Sequence, residues 1–207
     1  MLATTGTEAT VAHAVVLYEN GEPVKDNDHG RKPACAVVPA RDGSCDLSTW
    51  KAGVNGALFS PQGGLRISAN GLAKIGRMLL GDGMVDGVRL LTPASVREMA
   101  TPVWTWAPGN GETGEGDDDG FDCRYGLAVQ TLATPLPKCG DDPFGDGVAR
   151  IGHAGNAYGL LSGLWVDRAG GTGVAYFATD LDGMPHSPHS SFSAVEEQLA
   201  RGDVPAR

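Results

Sequence analysis

The stretch Arg150-Ile-Gly-His-Ala-Gly-Asn-Ala-Tyr-Gly-Leu-Leu-Ser-Gly-Leu-Trp-Val-Asp-Arg-Ala-Gly-Gly-Thr-Gly-Val-Ala-Tyr-Phe-Ala-Thr179 decides the fold. Three strand-like runs, 150–153, 162–166 and 173–179, are separated by glycine-rich segments, and the last two are joined by Asp167-Arg168-Ala169-Gly170-Gly171. Apolar and β-branched runs this short, punctuated by turn residues, are the signature of an antiparallel meander. Upstream, Arg124 to Leu132 carries Tyr125, Leu127 and Val129 at alternate positions, as a half-buried strand does. Downstream, Ser193 and Glu196 stand in capping-box spacing ahead of Val195, Leu199 and Ala200, which predicts a closing helix of about 8 to 10 residues.

Further toward the N-terminus the apolar period changes. Ser68 caps a predicted helix over 69–80, with Leu72, Ile75, Leu79 and Leu80 at helical spacing and Gly81 and Gly83 ending it. Val85 to Leu91 reads as a short connection, and Thr92-Pro93 then offers a cap followed by proline at the first helical position, for a helix reaching about Met99. Val11 to Tyr18 reads as a strand followed by the turn Glu19-Asn20-Gly21-Glu22. Between Lys25 and Val54 no period is sustained, and the stretch reads as a loop. Helices, an antiparallel meander and a closing helix define an α+β fold, an antiparallel sheet with packed helices. With no internal repeat and no clear linker, 1–207 reads as one partial domain: a loop-rich segment (1–54), a helical segment (55–100), and strands with a closing helix (121–201).

Composition bounds the function. The 207 residues are 41% hydrophobic and 20% charged, enough for a real core, and 31 glycines argue for many turns and against a helical bundle. A net charge of -9 sets the overall field against nucleic acid, so no nucleic-acid partner is expected. Glu112, Glu115, Asp117, Asp118 and Asp119 read as a solvated loop, since the alternation, central glycine and distant glutamate of a calcium loop are missing. No stretch reaches the ~20 apolar residues of a membrane span. The first residues, Met1 to Gly6, show no basic and apolar signal-peptide pattern. Cys35 with Cys45 and Cys123 with Cys139 form two local pairs, and disulfides there would suit an oxidising compartment. Reduced cysteines or another pairing stay open, because four cysteines allow three pairings. Zinc is disfavoured without a Cys-x-x-Cys pair, and Pro188 keeps His186 and His189 from sharing a helix face.

Three blocks carry a resemblance. They are Asn55-Gly-Ala-Leu-Phe-Ser-Pro-Gln-Gly-Gly-Leu-Arg-Ile-Ser68 with its following helix, the segment Met78 to Met99, and Gly152-His-Ala-Gly-Asn-Ala-Tyr-Gly-Leu-Leu-Ser-Gly-Leu-Trp-Val-Asp167. In that order, and with Tyr125-Gly126-Leu127, the chain resembles the C-terminal portion of the serine β-lactamase-related and penicillin-binding-protein-like hydrolases, of class C β-lactamase and family VIII esterase type. Gly71 departs from the aspartate many members have. The resemblance implies an acyl-enzyme hydrolase acting on an ester, a β-lactam or a D-amino-acid peptide, without metal or organic cofactor. It also implies a periplasmic or secreted full-length parent.

The family's chemistry needs a Ser-x-x-Lys serine, a Tyr-x-Asn or equivalent, and the strand triad. Only the third is matched convincingly, by His153-Ala154-Gly155; the first two are expected upstream, in an N-terminal half. Ser48-Thr-Trp-Lys51 and Tyr18-Glu-Asn20 match as patterns, but their order is inverted. Ala52-Gly53-Val54-Asn55-Gly56 also breaks the helix whose N-terminus would favour developing negative charge on a serine. Gly159-Leu-Leu-Ser162-Gly163 is no nucleophile elbow. The resemblance gives His153 the role of cleft donor or cation. Ala154 and Gly155 line the substrate, with Gly155 allowing close approach, and the N–H of Asn156 is an oxyanion donor. A polar residue ending a strand is the plainer reading of His153.

Overall fold

The computed structural model describes residues 15–25, 48–49, 67–114, 119–181 and 184–203. The chain divides into two compact units, Met1–Ser68 and Ala69–Arg207. In the first, β1 (Leu17–Glu19) and β2 (Glu22–Lys25) form an antiparallel hairpin. Asn20 and Gly21 both take positive φ (53° and 77°), the backbone that matches the twist of a two-residue hairpin. The turn read at 19–22 is this loop; residues 11–14 of the expected strand lie outside the described residues.

The second unit is α+β. Its helix α1 (Ala69–Leu80) has the predicted bounds and buries Gly76, Met78 and Leu79. It ends where the Gly81 N–H bonds the Arg77 carbonyl and the Gly83 N–H, at φ 92°, bonds that of Met78. The segment after it, read as a plain connection, is a hairpin: β3 (Met84–Val85) and β4 (Val88–Arg89) pair around Asp86-Gly87, at φ 51° and 79°. Helix α2 (Pro93–Ala100) begins as expected, the Thr92 hydroxyl accepting from the Ser95 N–H and proline opening the first turn.

Six strands follow in one antiparallel sheet: β5 (Trp104–Thr105), β6 (Arg124–Tyr125), β7 (Gln130–Thr131), β8 (Ile151–Ala157), β9 (Leu160–Asp167) and β10 (Thr172–Thr179), ordered β10-β9-β8-β7-β6-β5. The meander is present, with its first hairpin tighter than expected. Ala157 pairs with Leu160 across a two-residue loop, Tyr158-Gly159, at φ 58° and 66°. One expectation is overturned. Arg124 to Leu132 is two short strands rather than one: Tyr125 pairs with Gln130, the Gly126 N–H bonds the Val129 carbonyl, and Ala128 turns at φ 56°. Gly126 sits so close to the Met99 carbonyl that a Cβ there would overlap it, so packing against α2 forces the break that alternation hides.

Alternation along β9 sends side chains into two separate cores. Val166 joins Met78, Leu79, Val96, Val129 and Ile151 under α1 and α2. Trp165 joins Leu132, Tyr176, Phe192 and Ala200 on the other face, beneath the closing helix α3 (Ala194–Arg201). Trp165 and Val166 are both fully buried, so the strand is covered on both sides, and each such side chain contributes about 1.5–3 kcal/mol. The capping box at α3 is complete: the Ser193 hydroxyl accepts from the Glu196 N–H, and the Glu196 carboxylate accepts from the Ser193 N–H. Cys123 and Cys139 form a disulfide, as spacing suggested. Cys35 and Cys45 lie outside the described residues.

Candidate active site

The predicted residues His153, Ala154, Gly155 and Asn156 are consecutive on β8, opposite Leu164, Gly163, Ser162 and Leu161 of β9. Period-two alternation gives His153 and Gly155 the face of the sheet that α1 covers, and Ala154 and Asn156 the face of α3. The Ala154 side chain packs against the Trp165 core. Gly155 is closely approached by protein: a Cβ there would come 2.5 Å from the Ser162 hydroxyl oxygen.

Because β7 is two residues long, it pairs with β8 only at Gln130–Gly152 and Thr131–Ile151. Beyond Gly152, β8 has no strand on that side among the described residues. It is therefore an interior strand at its start and an edge from His153 onward. The backbone groups pointing to the open side alternate: Arg150, whose carbonyl accepts from the Leu132 N–H, then Gly152, Ala154 and Asn156.

Two side chains missed in the sequence complete the site. The Tyr125 hydroxyl is hydrogen-bonded to His153 Nε2, and the two rings meet edge to face at 5.7 Å and 85°. His153 Nδ1 bonds the Ala154 carbonyl. A carbonyl only accepts, so Nδ1 carries the proton and, in the neutral ring, Nε2 accepts from the phenol. Burial, and next the charge of Asp122, raise the Tyr125 hydroxyl above its usual range and keep it a donor at neutral pH. Buried Gln130, the cross-strand partner of Tyr125, donates from Nε2 to Asp122 (2.6 Å) and accepts from the Ala154 N–H at Oε1 (3.0 Å). The Asp122 carboxylate fixes which end of the Gln130 amide is which. Tyr125 stands 28 residues from His153, so no local spacing signals the pair.

Of the upstream matches, Ser48 is exposed in a turn and Tyr18 is an exposed residue of β1. Lys51 lies outside the described residues. The acidic run is partly organised: Asp119 pairs with Lys138 at 3.2 Å and accepts from the Thr113 hydroxyl, while 115–118 lie outside the described residues. Among the described residues no group of three or more His, Cys, Asp or Glu is arranged to hold a metal ion, and no helix is long and apolar enough to cross a membrane. A cavity of about 400 Å³ opens on the α3 side of the sheet among Phe144, Arg150, Trp165 and Arg201. The Arg150 guanidinium there is committed to Asp146, at 2.8 Å.

No protein-family model and no solved structure matches the chain. Two curated Mycobacterium tuberculosis proteins are each 59% identical to it over 39 residues, 19% of this chain and 10% of the relative. They are Protein Rv1367c, of strain ATCC 25618 / H37Rv, and Uncharacterized protein MT1414, of strain CDC 1551 / Oshkosh. The chain thus spans about a tenth of the length of the curated relatives it matches.

Proposed function

We propose that this chain is the strand-bearing, C-terminal portion of a serine hydrolase of the β-lactamase-related and penicillin-binding-protein-like type. It forms an acyl-enzyme with an ester, a β-lactam or a D-amino-acid peptide, and its fold is the corresponding part of the serine β-lactamase/DD-peptidase-like fold. One observation carries the reading. His153 stands at the point where β8 becomes an open edge, with the Asn156 N–H two outward-facing positions beyond Gly152 on the same side. A carbonyl seated there meets a backbone donor next to an imidazole–phenol pair, the polar setting in which a tetrahedral oxyanion is stabilised. The nucleophile comes from a Ser-x-x-Lys segment upstream, as the resemblance implies. The Cys123–Cys139 bridge suits a periplasmic or secreted parent.

A second reading, a non-catalytic ligand-binding homologue, is favoured by Ser48 of the pattern Ser48-Thr-Trp-Lys51, which is exposed in a turn rather than buried as a nucleophile in a cleft. The two separate by covalent labelling. The present chain, treated with a fluorophosphonate or fluorescent penicillin and analysed by mass spectrometry, is expected to show no labelled serine. The same protein extended by the upstream coding sequence is expected to be labelled stoichiometrically at a Ser-x-x-Lys serine. Failure of the extended protein to label leaves the binding homologue; labelling at Ser48 transfers the nucleophile to this chain.

A further inference from the structure

A sheet edge captures an extended peptide by offering at least two successive outward-facing N–H and C=O pairs, with which the peptide continues the ladder. On β8 the outward pairs beyond the end of β7 are those of Ala154 and Asn156, because the Tyr158-Gly159 turn closes the strand. Both groups of Ala154 are already engaged. Its N–H donates to Gln130 Oε1 at 3.0 Å, and its carbonyl accepts from His153 Nδ1. Gln130 is buried and held by Asp122, so its side-chain amide acts as the next residue of β7, terminating the ladder with a group no ligand displaces cheaply.

Resting on the hydrolase reading above, we propose that this edge selects its substrate by subtraction. Gln130 and His153 engage both backbone groups of Ala154 and leave Asn156 as the one open outward pair of β8 among the described residues, so the site accepts a compact acyl compound presenting one carbonyl and rejects an extended peptide. Of the substrate classes implied by the resemblance, this keeps esters and lactams and removes peptides bound as an added strand. Natural sheets blunt their edges by comparable means to prevent unwanted pairing.

Backbone amides of the full chain, observed by NMR, test it. Ala154 is expected to exchange its amide proton at least tenfold more slowly than Asn156, and Gln130→Ala to bring the two together. Phenyl acetate at millimolar concentration is expected to shift the Asn156 amide and leave Ala154 in place, while N-acetyl-trialanine amide shifts neither. In Gln130→Ala, or in His153→Ala at an exposed position that folding does not need, the tripeptide is expected to gain shifts at both amides. Equal exchange at Ala154 and Asn156, tripeptide shifts in the unaltered protein, or no phenyl acetate shift at Asn156 each overturns the proposal. None of these readouts needs a serine nucleophile. A correct amide pattern without covalent labelling of the extended protein therefore sinks the hydrolase reading and leaves the edge selection standing.

Discussion

Tyr125 and His153, 28 residues apart in sequence, are joined side chain to side chain: the phenol donates to the imidazole Nε2, with ring centroids 5.7 Å apart and planes at 85°. The contact joins the short strand β6 to the open end of β8. It passes across the gap that two-residue β7 leaves, so it substitutes for the backbone ladder missing there.

Tyr125→Phe removes only the donor to Nε2. Free imidazole favours the Nε2–H tautomer, and the wild-type protein is expected to hold His153 as Nδ1–H. The substitution should shift the population toward Nε2–H without lowering the melting temperature appreciably. Nitrogen chemical shifts of His153, at a pH where imidazole is neutral, report this directly. An unchanged tautomer would show that the Ala154 carbonyl alone orients the ring.

In the protein extended to include a Ser-x-x-Lys serine, His153→Ala is expected to slow acylation by roughly 10 to 1,000-fold, the range for losing one positioned electrostatic group. Asn156→Ala should do much less, because its contribution is a backbone N–H, whereas Asn156→Pro removes that N–H and should cost far more. The measurement is kcat/KM on an activated ester, with thermal melting as control. Full activity in His153→Ala beside an inactive, folded Asn156→Ala would reverse the roles.

The Cys123–Cys139 bridge closes a loop with a sequence separation of 16. Constraint of the unfolded chain by a loop of this size corresponds to about 3 kcal/mol. Replacing both cysteines by serine should lower the urea midpoint accordingly, and adding reductant to the wild type should reproduce the loss. Because Cys123 adjoins Asp122 and lies two residues before Tyr125, the same variants should also raise amide exchange at Ala154. A midpoint unaltered by reduction would mean the bridge is absent in solution.

Asp141 and Asp146 should respond to pH with opposite signs. The Arg150 guanidinium holds Asp146 down at about 2, from an ordinary 3.8, so its contribution is present above 3.8 and is lost as pH falls toward 2. Burial raises Asp141 against two opposing bonds from Thr134, so the protonated form is favoured in the fold. Its contribution is full below 3.8 and declines as pH rises through the raised value. At neutral pH, Asp146→Asn should therefore destabilise slightly and flatten the acid limb of the stability curve, the exposed pair being well screened. Asp141→Asn, which keeps an acceptor for the Thr134 N–H, should be neutral or stabilising. Denaturant unfolding from pH 2 to 7 distinguishes them; parallel curves for both variants would contradict the assignment.

What local sequence encodes, it encodes well here. The α1 limits follow from Leu72, Ile75, Leu79 and the glycines that stop it, α2 from Thr92-Pro93, and α3 from the reciprocal Ser193–Glu196 cap. Alternation at Tyr125, Leu127 and Val129 misleads because the chain reverses within it: Tyr125 pairs with Gln130, so Val129 falls on the opposite face of the sheet from Tyr125. Only the approach of the Met99 carbonyl to Gly126, a tertiary fact, distinguishes a hairpin from a strand. The Tyr158-Gly159 turn is similarly hidden, since tyrosine rarely occupies positive φ. Motif resemblance singles out His153 to Asn156 as a candidate group, and their consecutive placement on β8 follows from sequence. The contacts from Tyr125, Gln130 and Asp122 are not legible, because they depend on how separate segments meet in the sheet rather than on spacing.

The fully buried Trp165 lies against Phe192, edge to face at 6.0 Å, and donates to the Tyr176 hydroxyl at 3.4 Å. Trp104 and Trp106 are partly exposed. An indole so enclosed emits at the blue end of tryptophan fluorescence and moves red once water reaches it. The protein therefore carries its own optical gauge of whether the Phe192 and α3 layer is seated, mounted on the side of the sheet opposite the His153 imidazole. With Trp50, Trp104 and Trp106 replaced by phenylalanine, red-shifted emission would register separation of that layer.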